Sequence, residues 1–227
     1  MNSGDGWTGC AAGHRHWGLY GAAGLLVIDG DRVILQHRAP WTHQGDSWGI
    51  PGGARNSDED AVQAALREAR EEADLPAAHI DPIGLYVDDH RGWAYTTVVA
   101  RPLRRLTPVA ANAESVSVSW HPRGEVAGLR LHSGFAAAWQ HLQDLPDPLY
   151  LIVAGSAVGD PAIGTLRRRG VSVAALPSGV HSGGLSRLLP RVIEVEDGDQ
   201  VAQAVVDHSM RGQVFLATDP AELRLLI

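Results

Sequence analysis

The chain has 227 residues, 44% of them hydrophobic, enough for one large core or two modest ones, and no stretch reads as low-complexity. A formal net charge of −7, with no lysine among the cations, argues against non-specific nucleic-acid binding by a basic surface. No apolar run approaches a membrane span, the first twenty residues lack a basic start followed by an apolar core, and the single Cys10 cannot form an internal disulfide. A soluble, cytoplasmic globular protein without a membrane partner is the expectation.

Near the start, Cys10 has no CxxC partner and reads as an ordinary thiol in a flexible segment. His14 and His16 stand at i and i+2 with no third ligand nearby in sequence, and read as solvated loop histidines. Gly21 to Ile28 has strand character, Asp29-Gly30-Asp31 is a tight turn, and Arg32 to Arg38 is the returning strand, so a β-hairpin is expected. The loop Trp48-Gly49-Ile50-Pro51-Gly52-Gly53 follows. Its adjacent glycines permit positive φ and close backbone approach, which lets Gly53 offer its carbonyl to a metal or lets a phosphate come near.

A helix over residues 58–73 comes next, with Ser57 or Asn56 as N-cap and Asp58, Glu59 and Asp60 at the positive end of its dipole. Ala61, Val62, Ala65, Leu66 and Ala69 form its apolar stripe. Glu68, Glu71 and Glu72, at i, i+3 and i+4, share one face. Three adjacent anions repel one another, and a divalent cation relieves that repulsion. Oxygen-only donors suit a hard ion, Mg²⁺ or Mn²⁺, whose remaining ligands are waters and substrate phosphates. The plain alternative is a solvated acidic face.

Ile80 to Val87, Ala94 to Arg101 and Val116 to Trp120 read as strands, and Gly134 to Leu142 as a helix. Of Trp41, Trp48, Trp93, Trp120 and Trp139, most belong to a core, but Trp41 and Trp93 fall in loops where an aromatic face can stack on a base. Asp144-Leu145-Pro146-Asp147-Pro148 disfavours continued helix and marks a boundary between residues 1–145 and 149–227. Before the linker's end stand 12 Arg against 18 acids, a net of −6, and after it 7 against 8, a net of −1. The second segment alternates strand (Leu149 to Ala154), helix (Pro161 to Arg169), strand (Val171 to Leu176) and strand (Arg191 to Val195). It continues with helix (Gln200 to His208), strand (Gln213 to Ala217) and helix (Pro220 to Leu226), a small parallel α/β unit.

The spacing G-x5-E-x7-R-E-U-x-E-E-x-G-U, with U a bulky apolar residue, is matched by Gly53, Glu59, Arg67, Glu68, Glu71, Glu72 and Leu75, and on it the chain resembles the Nudix hydrolases. Asp74 stands where that family has glycine, and small Ala69 where it has a larger apolar residue. Asp tolerates the left-handed conformation better than most residues, so a slightly strained helix end with an intact site is expected. The resemblance implies an α/β fold, a mixed sheet sandwiched between helices, through about residue 145. It also implies metal-dependent cleavage of the diphosphate linkage in a nucleoside diphosphate derivative. It assigns Gly53, Glu68, Glu71, Glu72 and Glu114 as metal ligands and Glu68, Glu71 and Arg67 as catalytic residues. Glu68 or a nearby acid would be the base, with Arg67 orienting Glu59 or the loop and Glu59 itself acting as a cap and loop brace. Arg38 and Trp93 are the substrate-binding candidates, a small nucleotide is the partner, and no nucleic acid is expected. The second domain resembles PIN-like nucleases only faintly, at Gly212 to Pro220. Its first strand runs into Ala154-Gly155-Ser156 without the aspartate such a nuclease needs, leaving Asp160 and Asp219. An inactive accessory domain for homodimerisation or substrate cover is expected. The rivals are a nucleotide sensor that keeps the pocket for binding only, and a nuclease centred on the second domain.

Overall fold

A computed structural model describes residues 3–145, 149–163, 185–186, 191–194, 200, 202–203 and 213–221. It separates the chain into one unit of Met1–Leu145 with Gly179–Ser186, and another of Pro146–Ser178 with Arg187–Ile227. The described elements of the first unit are β1 (Trp7–Gly9), β2 (Arg15–Trp17), β3 (Ala22–Asp29), β4 (Arg32–Arg38), β5 (Trp48–Gly49), β6 (Gly52–Ala54), α1 (Ala61–Ala73), β7 (Ile80–Asp89), β8 (Ala94–Pro102), β9 (Ser115–Pro122), α2 (Arg123–Val126), α3 (Ser133–Leu142) and, after segments of the second unit, the short strand Leu185–Ser186.

β3 is apolar on both faces and lies inside a mixed sheet, antiparallel to β4 and β6 and parallel to β8. β8 continues antiparallel into β7, and β4 pairs with β9 and β5. Strand alternation sends Ala23, Leu25 and Val27 into a core shared with Ala64, Ala65, Ala69 and Ala73 of α1, while Leu26 and Ile28 are equally buried on the other face. The helix face is built of alanines. Small side chains let α1 settle close to the sheet, and Ala61, Val62 and Leu66 pack only at the margin of that core.

The helix is shorter at its start than the acidic run suggests. Asp60 caps it, accepting from Gln63 N at 2.8 Å while its own N–H donates to Gln63 Oε1 at 2.9 Å, a reciprocal capping box. Ser57 and Asn56 are not the cap, because Asn56 is used by the loop: its side chain accepts from Gly4 N, and its own N–H donates to Glu59. At the far end Asp74 is left-handed, with φ 52° and ψ 38°, as its place in the pattern predicts. It pairs there with Arg70.

Residues 7–17 are not a flexible start. β1 and β2 form a hairpin pairing Trp7 with Trp17 and Thr8 with His16, and the turn between them holds Cys10. β7, β8 and β9 each run a residue or two beyond the expected strands.

In the second unit β10 (Leu149–Val153) lies between two parallel neighbours, β12 (Arg191–Glu194) and β13 (Gln213–Ala217), β11 being the Leu185–Ser186 strand of the first unit. Helical residues begin at Pro161 and Pro220, where Asp160 and Asp219 accept from Ala162 N and Ala221 N at 2.8 and 2.7 Å. The expected strand Val171 to Leu176 lies outside the described residues, as do most of the helices expected over Pro161 to Arg169, Gln200 to His208 and Pro220 to Leu226. No helix among the described residues is long and apolar enough to cross a membrane.

A left-handed non-glycine residue costs about 1–2 kcal/mol, and an exposed i,i+4 ion pair returns a few tenths. Asp74→Gly is therefore expected to raise the urea midpoint by an amount worth about 0.5–1 kcal/mol. An unchanged or lower midpoint would show that the Arg70 pair outweighs the backbone term.

Candidate active site

The acidic side chains of α1 divide according to how far each faces the sheet. Glu72 retains 3% exposure, and its carboxylate accepts from Gly52 N at 2.8 Å. Glu68 is mostly buried beside Gly53: a Cβ built there would stand 2.6 Å from Glu68 Oε1. Gly52 is equally confined, since a Cβ would meet Ala23 O at 2.5 Å and the Tyr95 hydroxyl at 2.9 Å. The glycine pair is thus a consequence of the approach between α1, β6 and β8. Glu71 turns outward, with 55% side-chain exposure, and touches only the edge of the cluster through Arg67 at 3.4 Å. The one shared face expected of the three glutamates becomes a buried pair and a rim residue.

Arg67 organises the other side. Its Nε and Nη2 donate to Glu59 at 2.7 and 3.0 Å, its Nη1 to Glu68 Oε1 at 2.7 Å, and its Nη2 also to Ala54 O at 2.9 Å. Glu59 in turn accepts from Asn56 N, and its carbonyl accepts from Arg55. This bidentate geometry locks the loop onto the helix. Arg67 pulls the Glu59 carboxyl down to about 2. Burial pushes the other two acids the opposite way: Glu68 is raised despite Arg67, and Glu72 is raised to about 7 against the help of Gly52 N–H and Arg38. Among the described residues no cation lies within ion-pair distance of Glu72. Glu114, the residue before β9, adds its negative charge to both Glu68 and Glu72, and its carbonyl accepts from Ala39 N.

On the other side of the glycines lies a cavity of about 540 Å³ lined by, among others, Arg38, Gly52, Gly53, Trp93, Tyr95 and His132. Arg38 donates to His43 O at 3.3 Å, and its charge is felt at Glu72, Tyr95 and His132. Burial first, then Arg38 and His43, hold His132 down to about 4, a neutral ring. Trp93 lines the cavity, but one face of its indole is already stacked on His16 at 4.1 Å and 10°, and its N–H donates to Gly18 O. Trp41 stands 72% exposed and does not line the cavity. Tyr95 and His132 do not stand out in the sequence. One sits inside an ordinary strand and the other far downstream of the glycine loop, and neither carries a local signal.

A helix-borne acid cluster behind a glycine floor, with an arginine across the cleft, is an arrangement suited to polyphosphate chemistry. The chain matches the NUDIX domain family over residues 19–145, more than half of its length, and belongs to that family of hydrolases. It is 47% identical over 154 residues to a Mycobacterium tuberculosis protein provisionally named 8-oxo-dGTP diphosphatase 3, a match covering 63% of this chain and 70% of that protein. It is 41% identical over 145 residues to a nucleoside triphosphate pyrophosphatase/Nudix hydrolase fusion protein of Bifidobacterium longum, covering 60% of this chain and 30% of the fusion. Among solved structures it is similar to RenU, a Nudix hydrolase from M. smegmatis, with TM-score 0.57 and 44% identity over 62% of this chain and 94% of that one.

Opposite pKa shifts make opposite stability predictions. Glu59, depressed, stabilises the fold above its unfolded pKa, and that contribution is lost as pH falls from about 4.5 towards about 2. Glu72, elevated, costs nothing below about 4.5 and weakens the fold as pH rises through about 7. In chelator-treated protein Glu72→Gln is expected to unfold later than the parent at pH 8, by about 1–3 kcal/mol, with the gap closing at pH 4.5. Equal urea midpoints at pH 8 would show that Glu72 is not under this stress.

Proposed function

We propose that this enzyme cleaves the phosphoanhydride linkage of a nucleoside diphosphate derivative, using a hard divalent ion, Mg²⁺ or Mn²⁺. The buried Glu72 beside Glu68, two desolvated acids with one guanidinium between them and none on Glu72, is the observation that carries this reading. The residues fit such an ion. The Gly53 carbonyl and Glu68, Glu71, Glu72 and Glu114 would hold it, all oxygen donors, and its charge would offset the burial of acids that the protein leaves uncompensated. When bound, it supplies a Lewis acid that polarises a phosphoryl group and lowers the pKa of a water.

The chain's own residues divide the remaining work. Arg67 fixes the Glu68 carboxylate and ties it to the Glu59 loop, so Arg67 positions the site. Glu68, whose proton affinity is raised by burial, takes the proton of the attacking water, with Glu71 at the rim as the alternative base. Arg38 meets the phosphate charge across the cleft, and Trp93 offers the base an aromatic edge or its remaining face. The name of the Mycobacterium tuberculosis relative puts 8-oxo-dGTP first among candidate substrates, ahead of canonical dNTPs, ADP-ribose, NADH, nucleotide sugars and dinucleoside polyphosphates. We assign catalysis to residues 1–145 and an accessory role, in homodimerisation or substrate cover, to residues 149–227.

The test is that substrate panel, assayed with Mg²⁺ or Mn²⁺. Glu72→Gln is expected to lower kcat by about 10²–10³-fold, and Arg38→Ala to raise KM about tenfold. Gly53→Ala, whose methyl collides with Glu68, should lower kcat with little change in KM. Nucleotide binding without turnover by the parent would favour the sensor reading, and full turnover by Glu72→Gln would overturn the site assignment.

A further inference from the structure

Beside the cleft mouth the fold assembles a second and chemically different cluster, which the sequence does not show as a group. Cys10, His14, His16 and His90 each present one ligand atom, and these four atoms lie within 4.8 Å of one another. We propose that they form a structural zinc site joining the β1–β2 hairpin to the β7–β8 turn, independent of the carboxylate centre.

Four observations place the donors. The β1–β2 turn is wound so that Cys10 N donates to His14 O at 3.0 Å and Gly13 N to Cys10 O at 2.9 Å, which brings the thiol and His14 to the same side. Ala11 N donates to Arg91 O at 2.9 Å, clamping that turn against the one carrying His90. His16, on β2, has its Nε2 buried without a hydrogen-bond partner among the described residues. Such an orphaned ring nitrogen is costly to bury unless something completes it. His90 is already oriented, its Nε2 lying 3.1 Å from Asp88 Oδ2, which makes Nδ1 the nitrogen to offer a metal. A carboxylate behind a ligating imidazole is the usual means of fixing its tautomer and aim.

Stacking accounts for part of this arrangement. His16 lies on Trp93 at 4.1 Å, and His16 and His90 ring centroids are 4.6 Å apart. His14 also meets His16 edge-on, with ring centroids 6.3 Å apart, but ring contacts do not account for the thiol or for the unpaired buried nitrogen. One thiolate and three imidazoles are borderline-soft donors that select Zn²⁺ over the hard ions suited to glutamates, and four protein donors fill a tetrahedral shell with no open position. The site is therefore structural. On binding, the Cys10 thiol releases its proton to solvent and the sulfur coordinates as thiolate. The ion would fasten the wall that bears Trp7, Trp17 and Trp93 to the rest of the cleft.

The experiment uses the full chain. Metal content after dialysis against Mg²⁺ buffer is measured by mass spectrometry, and the apoprotein is titrated with Co²⁺ as a spectroscopic stand-in. One equivalent of zinc is expected to remain. Cobalt should give the intense visible bands of a tetrahedral site together with a sulfur-to-cobalt charge-transfer band in the near ultraviolet. Cys10→Ser should remove that band and weaken zinc binding at least about tenfold, His14→Gln, at the exposed ligand, should weaken it without disturbing the half-buried His16 and His90 rings, and Glu72→Gln should leave both signals intact. Failure to retain or take up stoichiometric zinc overturns the proposal. So does a charge-transfer band that survives Cys10→Ser, or uptake lost in Glu72→Gln and kept in Cys10→Ser. Because Glu72→Gln reports on the other centre, failure here is separable from failure of the hydrolase reading.

Discussion

The closeness of helix α1 to the glycine strand β6 is the constraint from which the active-site architecture follows. Alanines at 64, 65, 69 and 73 let the helix approach the sheet, and glycines at 52 and 53 leave no Cβ in the way. The flank of that same helix carries Glu68 and Glu72, so packing the core drives two carboxylates out of water. Without the alanine face the acids would stay solvated, and without the glycines they would not reach the strand. Core packing and acid burial are one geometric event.

The electrostatics then separate into a satisfied half and an unsatisfied half. Glu59 has a bidentate arginine, two backbone hydrogen bonds near it, and a pKa of about 2. Glu72, at the opposite end of α1, has one backbone N–H and is driven to about 7. Two carboxylates of the same type are pushed apart by their surroundings, a pattern found where acids have different tasks. The first braces the loop, while the second is held at a cost that only an added positive charge relieves. Stability given up at one residue in favour of chemistry is the familiar trade at functional positions.

The cleft beyond the glycines is assembled from segments far apart in the chain. Arg38 comes from the end of β4, Tyr95 from β8, His132 from the residue before α3, and Trp7 and His16 from the N-terminal hairpin. Its wall is fixed by backbone and ring contacts between that hairpin and the β7–β8 turn, and the donors gathered there are sulfur and nitrogen. Those behind the glycine floor are oxygen. Under the two proposals above, hard and borderline ions would be sorted to different places by ligand chemistry alone.

What the residues determined by themselves was local. Helical spacing placed Glu68, Glu71 and Glu72 on neighbouring turns, the Asp29-Gly30-Asp31 turn placed the hairpin, and alternation placed β7 to β9, because each of these follows from a short-range period or a turn preference. The cap, Asp60, lies a few residues beyond Asn56 and Ser57, since several polar residues there compete for the same role and only the demands of Gly4 and Arg67 on Asn56 and Glu59 decide between them. Tertiary packing alone decided that Glu72 is buried while Glu71 is not, that Trp93 has lost a face to His16, and that Cys10 and His90 stand beside His14 and His16. Burial and convergence depend on which elements meet in space, and contacts across eighty residues leave no trace in the spacing of neighbours.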